Sequence, residues 1–373
     1  KNIINFSKKH GIKVVLIKQA HYLNMDKQKQ LKLLSKEQVI NKLLNYNKVL
    51  SNIDNPEGKN KIILDTDTAN EIDDQFALAW ALLSEDKIDL IGVTAEPYSF
   101  QHHREELVQA FKIIKNNEIN NTNIELVKAY SSWVKGLLDS GVDPKDIYFD
   151  TPSEGQAKSY TEINKIFNLM NINSNNKVFR GARNYLEDFN QPYMNESTDF
   201  IIQSCLKNKD EKIYVCAIGC LTNIASALLI EPKIIKNLVV VWTSGFPSYS
   251  PLNNKPSLNL VQDVKASQLV FSCGVSVVYL PGFNVGEQLT ISLPEMNEFV
   301  KGRGKIGDYL YYLYTNNPLH KQRGVLDQSM KTWVIWDIIN IAWMIDPSWV
   351  STIVLDMPDL DDKLFWTQKK RKQ

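Results

Sequence analysis

A doubly wound α/β fold, with a mostly parallel sheet flanked by helices, is what this 373-residue sequence predicts. Three observations carry that prediction. Strand-length apolar runs recur from residue 61 onward, at 61–65 (KIILD), 89–95 (DLIGVTA), 212–219 (KIYVCAIG), 237–244 (NLVVVWTS), 275–281 (VSVVYLP) and 352–356 (TIVLD). Each run is continuously apolar rather than alternating, as strands buried on both faces of a parallel sheet must be. Helix patterns fall between them, at 74–84, 222–232 and 263–272, which gives the rhythm of β-α-β units.

The elements divide the chain as follows. Residues 1–60 are rich in Lys and Asn, with Leu and Ile at helical spacing in 31–50 (LKLLSKEQVINKLLNYNKVL). They read as an N-terminal helical extension that ends in the loop 51–60 (SNIDNPEGKN). Residues 61–357 form the main domain. Within it, 101–150 interrupts the α/β rhythm with polar helices at 103–117 and 127–141 joined by an Asn-rich link, and reads as a helical insertion. Residues 358–373 are a C-terminal tail with the basic ending KKRKQ. No internal repeat is visible.

Composition narrows the function classes. The formal net charge is +1, so no general attraction to nucleic acid or to an anionic membrane is expected. The most apolar helix pattern, 333–345 (WVIWDIINIAWMI), carries Asp337 in its middle, so no membrane span is expected either. Cys205, Cys216, Cys220 and Cys273 show neither zinc-ligand spacing nor a secreted-domain framework, and read as buried thiols. The compartment is left open, with the cytoplasm favoured. The first residue, Lys rather than Met, is expected to reflect a removed or trimmed N-terminus.

The densest chemical signal is 63–83, ILDTDTANEIDDQFALAWALL. An apolar strand runs into Asp65, Asp67, Glu71, Asp73 and Asp74, and an apolar helix follows. Like charges so close raise one another's pKa and oppose folding, so something must compensate. Helix capping accounts for one or two of these acids, because Asp favours the first turn. It does not account for five. A hard divalent cation does, since calcium gathers several oxygen ligands in flexible geometry. Open α/β sheets place ligands at the carboxyl ends of their strands, which is where Asp65 and Asp67 fall.

This stretch resembles the opening motif of the inosine-uridine preferring nucleoside hydrolases, Asp-x-Asp-Pro-Gly-x-Asp-Asp after a first strand. Three more segments resemble later landmarks of that family, in the family's order: 216–232 (CAIGCLTNIASALLIEP), 257–271 (SLNLVQDVKASQLVF) and 336–347 (WDIINIAWMIDP). The resemblance spans about residues 61–357. It implies a nucleoside hydrolase-like fold and hydrolysis of the N-glycosidic bond of ribonucleosides, by a calcium-held water that Asp67 activates. It implies calcium ligation by Asp67, Asp74, Asp337 and the backbone carbonyl of Ile218. It implies that Asp73 binds the ribose 2′-hydroxyl and Asn259 the 3′-hydroxyl, and that Asp65 supports the site from behind. The implied partner is a small-molecule nucleoside or related N-riboside, and the implied assembly a homodimer or homotetramer.

The sequence also departs from that pattern. Its first motif is two residues longer, similar to that of a bacterial branch of the superfamily, so Asn70 or Glu71 can project into the pocket or simply shape the turn. Trp336 stands where many members have His, and is read either as a stacking partner for the leaving base or as a core aromatic. Ser257 stands where a Glu holds the 5′-hydroxyl, with Asn253, Asn254 and Lys255 nearby. That exchange raises the alternative of a larger or 5′-substituted N-riboside as substrate. A further alternative is a non-catalytic ribosyl-binding protein, against which the retained Asp67, Asp74, Asp337 and Asn259 speak. His102, His103 and His320 are candidate proton donors to the leaving group.

Overall fold

The computed structural model describes residues 16–18, 35–44, 55–324 and 332–368. In chain order, β1 (Leu16–Lys18) and α1 (Lys36–Leu44) precede β2 (Asn60–Thr66), α2 (Asp73–Leu83) and β3 (Ile88–Ala95). The insertion supplies α3 (Arg104–Lys115) and α4 (Ile124–Ser140). Next come α5 (Pro152–Leu169), β4 (Val178–Arg180), α6 (Glu196–Lys207), β5 (Ile213–Ala217), α7 (Thr222–Ile230) and β6 (Leu238–Ser244). These are followed by α8 (Leu258–Val261), α9 (Val264–Ser272), β7 (Ser276–Pro281), β8 (Thr290–Ser292), α10 (Gly304–Thr315), α11 (Pro318–Gln322), β9 (Thr332–Val334) and α12 (Ile338–Ile345). The last strands are β10 (Leu355–Asp356), β11 (Pro358–Leu360) and β12 (Trp366–Gln368).

Six strands in the order β7-β6-β5-β2-β3-β4 make a central parallel sheet. Beyond β7 the order continues through β1, antiparallel to β7, to β10. Alternate residues of each strand enter two separate cores. Ile63, Val215, Val240 and Val277 pack with α6, α7 and α9 on one face. Ile62, Leu64, Tyr214, Val239 and Val278 pack with α2, α5 and α12 on the other. Both faces are dry, which is why the strand sequences do not alternate.

The chain leaves β2 for β3 on one side and returns to β5 on the other. The strand order therefore reverses at β2, and a crevice opens at the carboxyl ends of β2 and β5. Register brings those ends level, with Asp65 beside both Thr94 and Ala217. Asp65, Asp67, Glu96 and Ile218 thus arrive in one place from three strands.

The run at 352–356 is a correction to the sequence reading. Only Leu355–Asp356 is a strand, and it pairs with β1 at the far edge rather than with the parallel six. Its apolar residues serve packing instead: Val354 lies against the second core. Part of the stretch set apart as a tail forms the β11–β12 hairpin, with Leu360 and Trp366 buried in the first core. In the N-terminal stretch, α1 buries Val39 and Leu43 in that same core. Residues 1–15, 19–34 and 45–54 lie outside the described residues, as do 369–373.

The insertion has a core of its own. Leu107 and Phe111 of α3 meet Tyr130, Trp133 and Leu137 of α4, together with Tyr98, Phe100, Phe149 and Leu319. A Cβ on Gly136 would lie 2.3 Å from the carbonyl oxygen of Arg323, so α4 and the chain after α11 meet backbone to backbone. α5 then starts sharply at the Thr151 cap, with Pro152 in its first turn and Glu154 closing a capping box.

Candidate functional site

Six carboxyl groups converge at the carboxyl end of the sheet: Asp65, Asp67, Asp73, Asp74, Glu96 and Asp337. None is more than 5% exposed. β2 delivers Asp65 and, past its end, Asp67. The turn 67–72 brings the chain to α2, whose first residues are Asp73 and Asp74. Asp337 comes from the other end of the sequence, at the N-cap position of α12, with its side chain making no capping bond. Ala69 in the turn has φ +140°, a conformation that costs a non-glycine residue about 1–3 kcal/mol. The turn is further tied by the Asn70 N–H donating to the Asp67 carbonyl at 2.9 Å.

Asp73, Asp74 and Asp337 place one carboxylate oxygen each within 4.8 Å of one another. Asp67, expected as a ligand with Asp74 and Asp337, is not in that group. Its Oδ2 accepts from Asn70 Nδ2 at 3.0 Å and from Gln262 Nε2 at 3.5 Å, while its buried Oδ1 has no protein partner. Thr66 Oγ1 donates to Asp74. The Ile218 carbonyl accepts from Asn259 Nδ2 at 2.9 Å, so the two positions expected to serve cation and ribose adjoin each other.

Burial dominates the electrostatics. It pushes the Asp67 carboxyl up to about 7 and, with the charge of Glu71, the Asp73 carboxyl up to about 8. Asp74 and Asp337 are driven well above the usual carboxylate range by burial and by their acidic neighbours. Such a nest carries mutual repulsion, an orphaned oxygen and oxygen donors throughout. Those features fit a hard divalent cation better than they fit the protein alone.

Beneath it lies a second acidic tier that the sequence reading caught only through Asp65. Asp65 Oδ1 accepts from Thr94 Oγ1 at 2.5 Å and from Asn223 Nδ2 at 3.0 Å. Glu96 accepts from Cys220 Sγ at 3.1 Å and from the Asn223 N–H at 3.2 Å. Burial and the nearby Asp65 charge push Glu96 well above the usual carboxylate range, and Asp65 Oδ2 is buried with no hydrogen-bond donor. The missed signal was an acid directly after an apolar strand, in 92–99 (GVTAEPYS). Gln262 was missed as well, inside a segment read only for Asn259.

The other expected residues lie as follows. Trp336 is half-buried and meets Phe283 edge to face at 5.6 Å. Ser257 Oγ is taken up by Ser244 Oγ at 2.7 Å and by the Gly245 N–H at 2.8 Å. Asn254 is a fully buried staple between Phe246 and Leu364, and Lys255 pairs with Glu106 of the insertion at 2.6 Å. His103 is bonded to Tyr130 Oη at 2.8 Å, and burial lowers its pKa to about 3. Burial lowers His102 as well, and lowers His320, against Trp333, to about 4. The four cysteines are buried and form no disulfide. A cavity of about 670 Å³ adjoins the centre, with Ala69 and Asn70 on its inner wall and Tyr98, Phe100, Phe149 and Leu319 among its lining.

A switch-point crevice holding a nest of buried carboxylates defines the class: an α/β protein with a candidate metal site at the carboxyl end of its sheet. Residues 62–365 match the profile of the inosine-uridine preferring nucleoside hydrolase family, and the chain belongs to that family. It is thereby a hydrolase of N-glycosyl compounds, in a family that acts on ribonucleosides and depends on a metal. The probable uridine nucleosidase 2 of Arabidopsis thaliana is 24% identical over 254 residues, 68% of each chain. The non-specific ribonucleoside hydrolase RihC of Salmonella newport is 31% identical over 151 residues, which are 39% of this chain and 45% of that one. Among solved structures, the purine-preferring ribonucleoside hydrolase from Gardnerella vaginalis superposes with a TM-score of 0.53 at 18% identity, covering 83% of this chain and 88% of that one. Among the described residues, no helix is long and apolar enough to cross a membrane.

Proposed function

We propose that this protein hydrolyses the N-glycosidic bond of ribonucleosides with a calcium ion at the upper acidic centre, and that Asp67 is its general base. The observation that carries the reading is the buried, unpartnered Oδ1 of Asp67 beside the cluster of Asp73, Asp74 and Asp337. Asp74, Asp337, Asp67 and the Ile218 carbonyl would hold the ion. When bound, it supplies a lowered pKa to water in its shell and an anchor for ribose hydroxyls.

The remaining chemistry belongs to the side chains. Asp67 Oδ1 accepts the proton of the water that attacks C1′. Asp73 and Asn259 orient the ribose through its 2′- and 3′-hydroxyls. With Asn259 Nδ2 committed to the carbonyls of Ile218 and Thr243, its oxygen is the end that faces a hydroxyl donor. Positive charge develops on the ribose as the bond to the base breaks, and the ring of carboxylates stabilises it. Trp336, which is outside the lining of the aromatic cavity beyond Asn70, stacks on the departing base.

The test is a panel of purine and pyrimidine nucleosides and their 5′-phosphates, assayed for free ribose or ribose phosphate with calcium and with chelator. Calcium-dependent release of ribose from a nucleoside is expected. No release from any member under either condition would overturn the reading.

A further inference from the structure

We infer that Gln262, with Asn70, selects which oxygen of Asp67 does the chemistry, and that Gln262 is a positioning residue for the reaction. This rests on the reading of Asp67 as the base. A carboxylate has two equivalent oxygens, and a base in a dry pocket works best when only one is offered and its plane is fixed. Here Oδ2 takes both side-chain amides, Asn70 at 3.0 Å and Gln262 at 3.5 Å, and Oδ1 takes none.

The orientation of the Gln262 amide follows from its other end. One terminal atom of that amide receives the Ser99 backbone N–H at 2.7 Å, and a backbone N–H can only donate. That atom is therefore the oxygen. Tyr185 Oη, 2.8 Å away, donates to the same oxygen. The NH₂ end is left facing Asp67. Gln262 is itself buried, so solvent competes little for these partners. Tyr185 is braced in turn by Tyr193 Oη, which donates to its carbonyl at 3.3 Å. The path runs from the loops after β3 and β4, through Gln262, to one oxygen of Asp67. Asn70 closes the set from the opposite side, within the same turn as Asp67. The two-residue extension of the acidic motif therefore carries the second amide.

Gln262→Glu separates this role from a merely structural one. The carboxylate still accepts from Ser99 and Tyr185, but it turns an acceptor toward Asp67. In the calcium-loaded full chain, with a nucleoside and with an activated nitrophenyl riboside, kcat should fall about 100-fold while KM changes by less than about threefold. Calcium affinity by calorimetry should weaken by about tenfold, as for a group that supports a metal ligand. Tyr185→Phe, which frees the amide without adding charge, should lower kcat by about tenfold with KM and thermal midpoint held. On an Asp67→Asn background, Gln262→Glu should cost nothing further, because the group it acts through is gone. Unchanged kcat in both single variants, or effects that multiply in the double variant, would overturn the inference. If Asp67→Asn itself keeps near-normal turnover, the assignment of the base fails instead, and the two failures are told apart. Should Gln262→Glu unfold, the Tyr185→Phe result alone decides.

Discussion

Two tiers of buried acids lie one above the other at the same end of the sheet, and they differ in how many hydrogen-bond donors reach them. In the lower tier, Asp65 and Glu96 receive Thr94, Asn223 and Cys220 as donors. Both donors to Asp65 reach its Oδ1, each oxygen of Glu96 takes one donor, and Asp65 Oδ2 is buried without one. In the upper tier, Asp67, Asp73, Asp74 and Asp337 receive few donors. Thr66 serves Asp74, two amides serve one oxygen of Asp67, and an oxygen of Asp67 is left bare. Residue type does not separate the tiers. The number of donors does: among the described residues four hydrogen bonds reach the two lower carboxyls and tie strand ends together, whereas three reach the four upper ones, which suits a cation better.

The contrast can be broken most directly at Asp67. Asp67→Asn should leave the fold intact and lower turnover by about 1,000-fold or more, read as kcat against thermal midpoint. Next in size is the cation. Asp74→Asn and Asp337→Asn should each weaken calcium binding by about 100-fold in calorimetry, since a direct ligand matters at least as much as its supports. The lower tier should respond in stability instead. Glu96→Ala should destabilise by about 3 kcal/mol in urea unfolding, through lost packing and the loss of an acceptor for Cys220 and the Asn223 N–H. Glu96→Gln should be nearly neutral, because the amide keeps the volume and is uncharged, and burial already pushes this carboxyl well above the usual carboxylate range. A loss of calcium affinity in Glu96→Gln would show that the tiers are one site.

A pH series sharpens the same contrast. In the calcium-free protein, Asp67 and Asp73 titrate near 7 and 8, against 3.8 for an ordinary Asp. The folded state therefore binds protons that the unfolded chain has released. That stabilisation is complete below about pH 4 and is lost as pH rises through about 7 to 8. The thermal midpoint should fall across that window without calcium and hold much flatter with it. The smallest effect belongs to the periphery. Trp336→Ala should lower kcat/KM for purine nucleosides about tenfold relative to an activated nitrophenyl riboside, the size of one stacking interaction. Equal losses on both substrates would place Trp336 with the core aromatics.

Much of this was legible in the chain. The continuous apolar strands, the helices between them and the Asp-rich turn follow from patterns confined to a few neighbouring residues, because a strand buried on both faces has one composition. The insertion helices at 104–115 and 124–140 were legible for the same reason. Local pattern could not show that the apolar run at 352–356 would serve as packing at an edge, or that Trp366, in the stretch set apart as a tail, would fill the core. Nor could it show that Ser257 and Asn254 spend their polar atoms building a loop, since their partners are distant or main-chain groups. The sequence by itself determined that acids gather beside β2. Only the tertiary structure decided which of their oxygens receive donors, because Thr94, Asn223, Cys220 and Gln262 reach them across 29 to 195 residues of chain. Hydrogen bonds are set by distance and direction in space, and one-dimensional spacing carries neither.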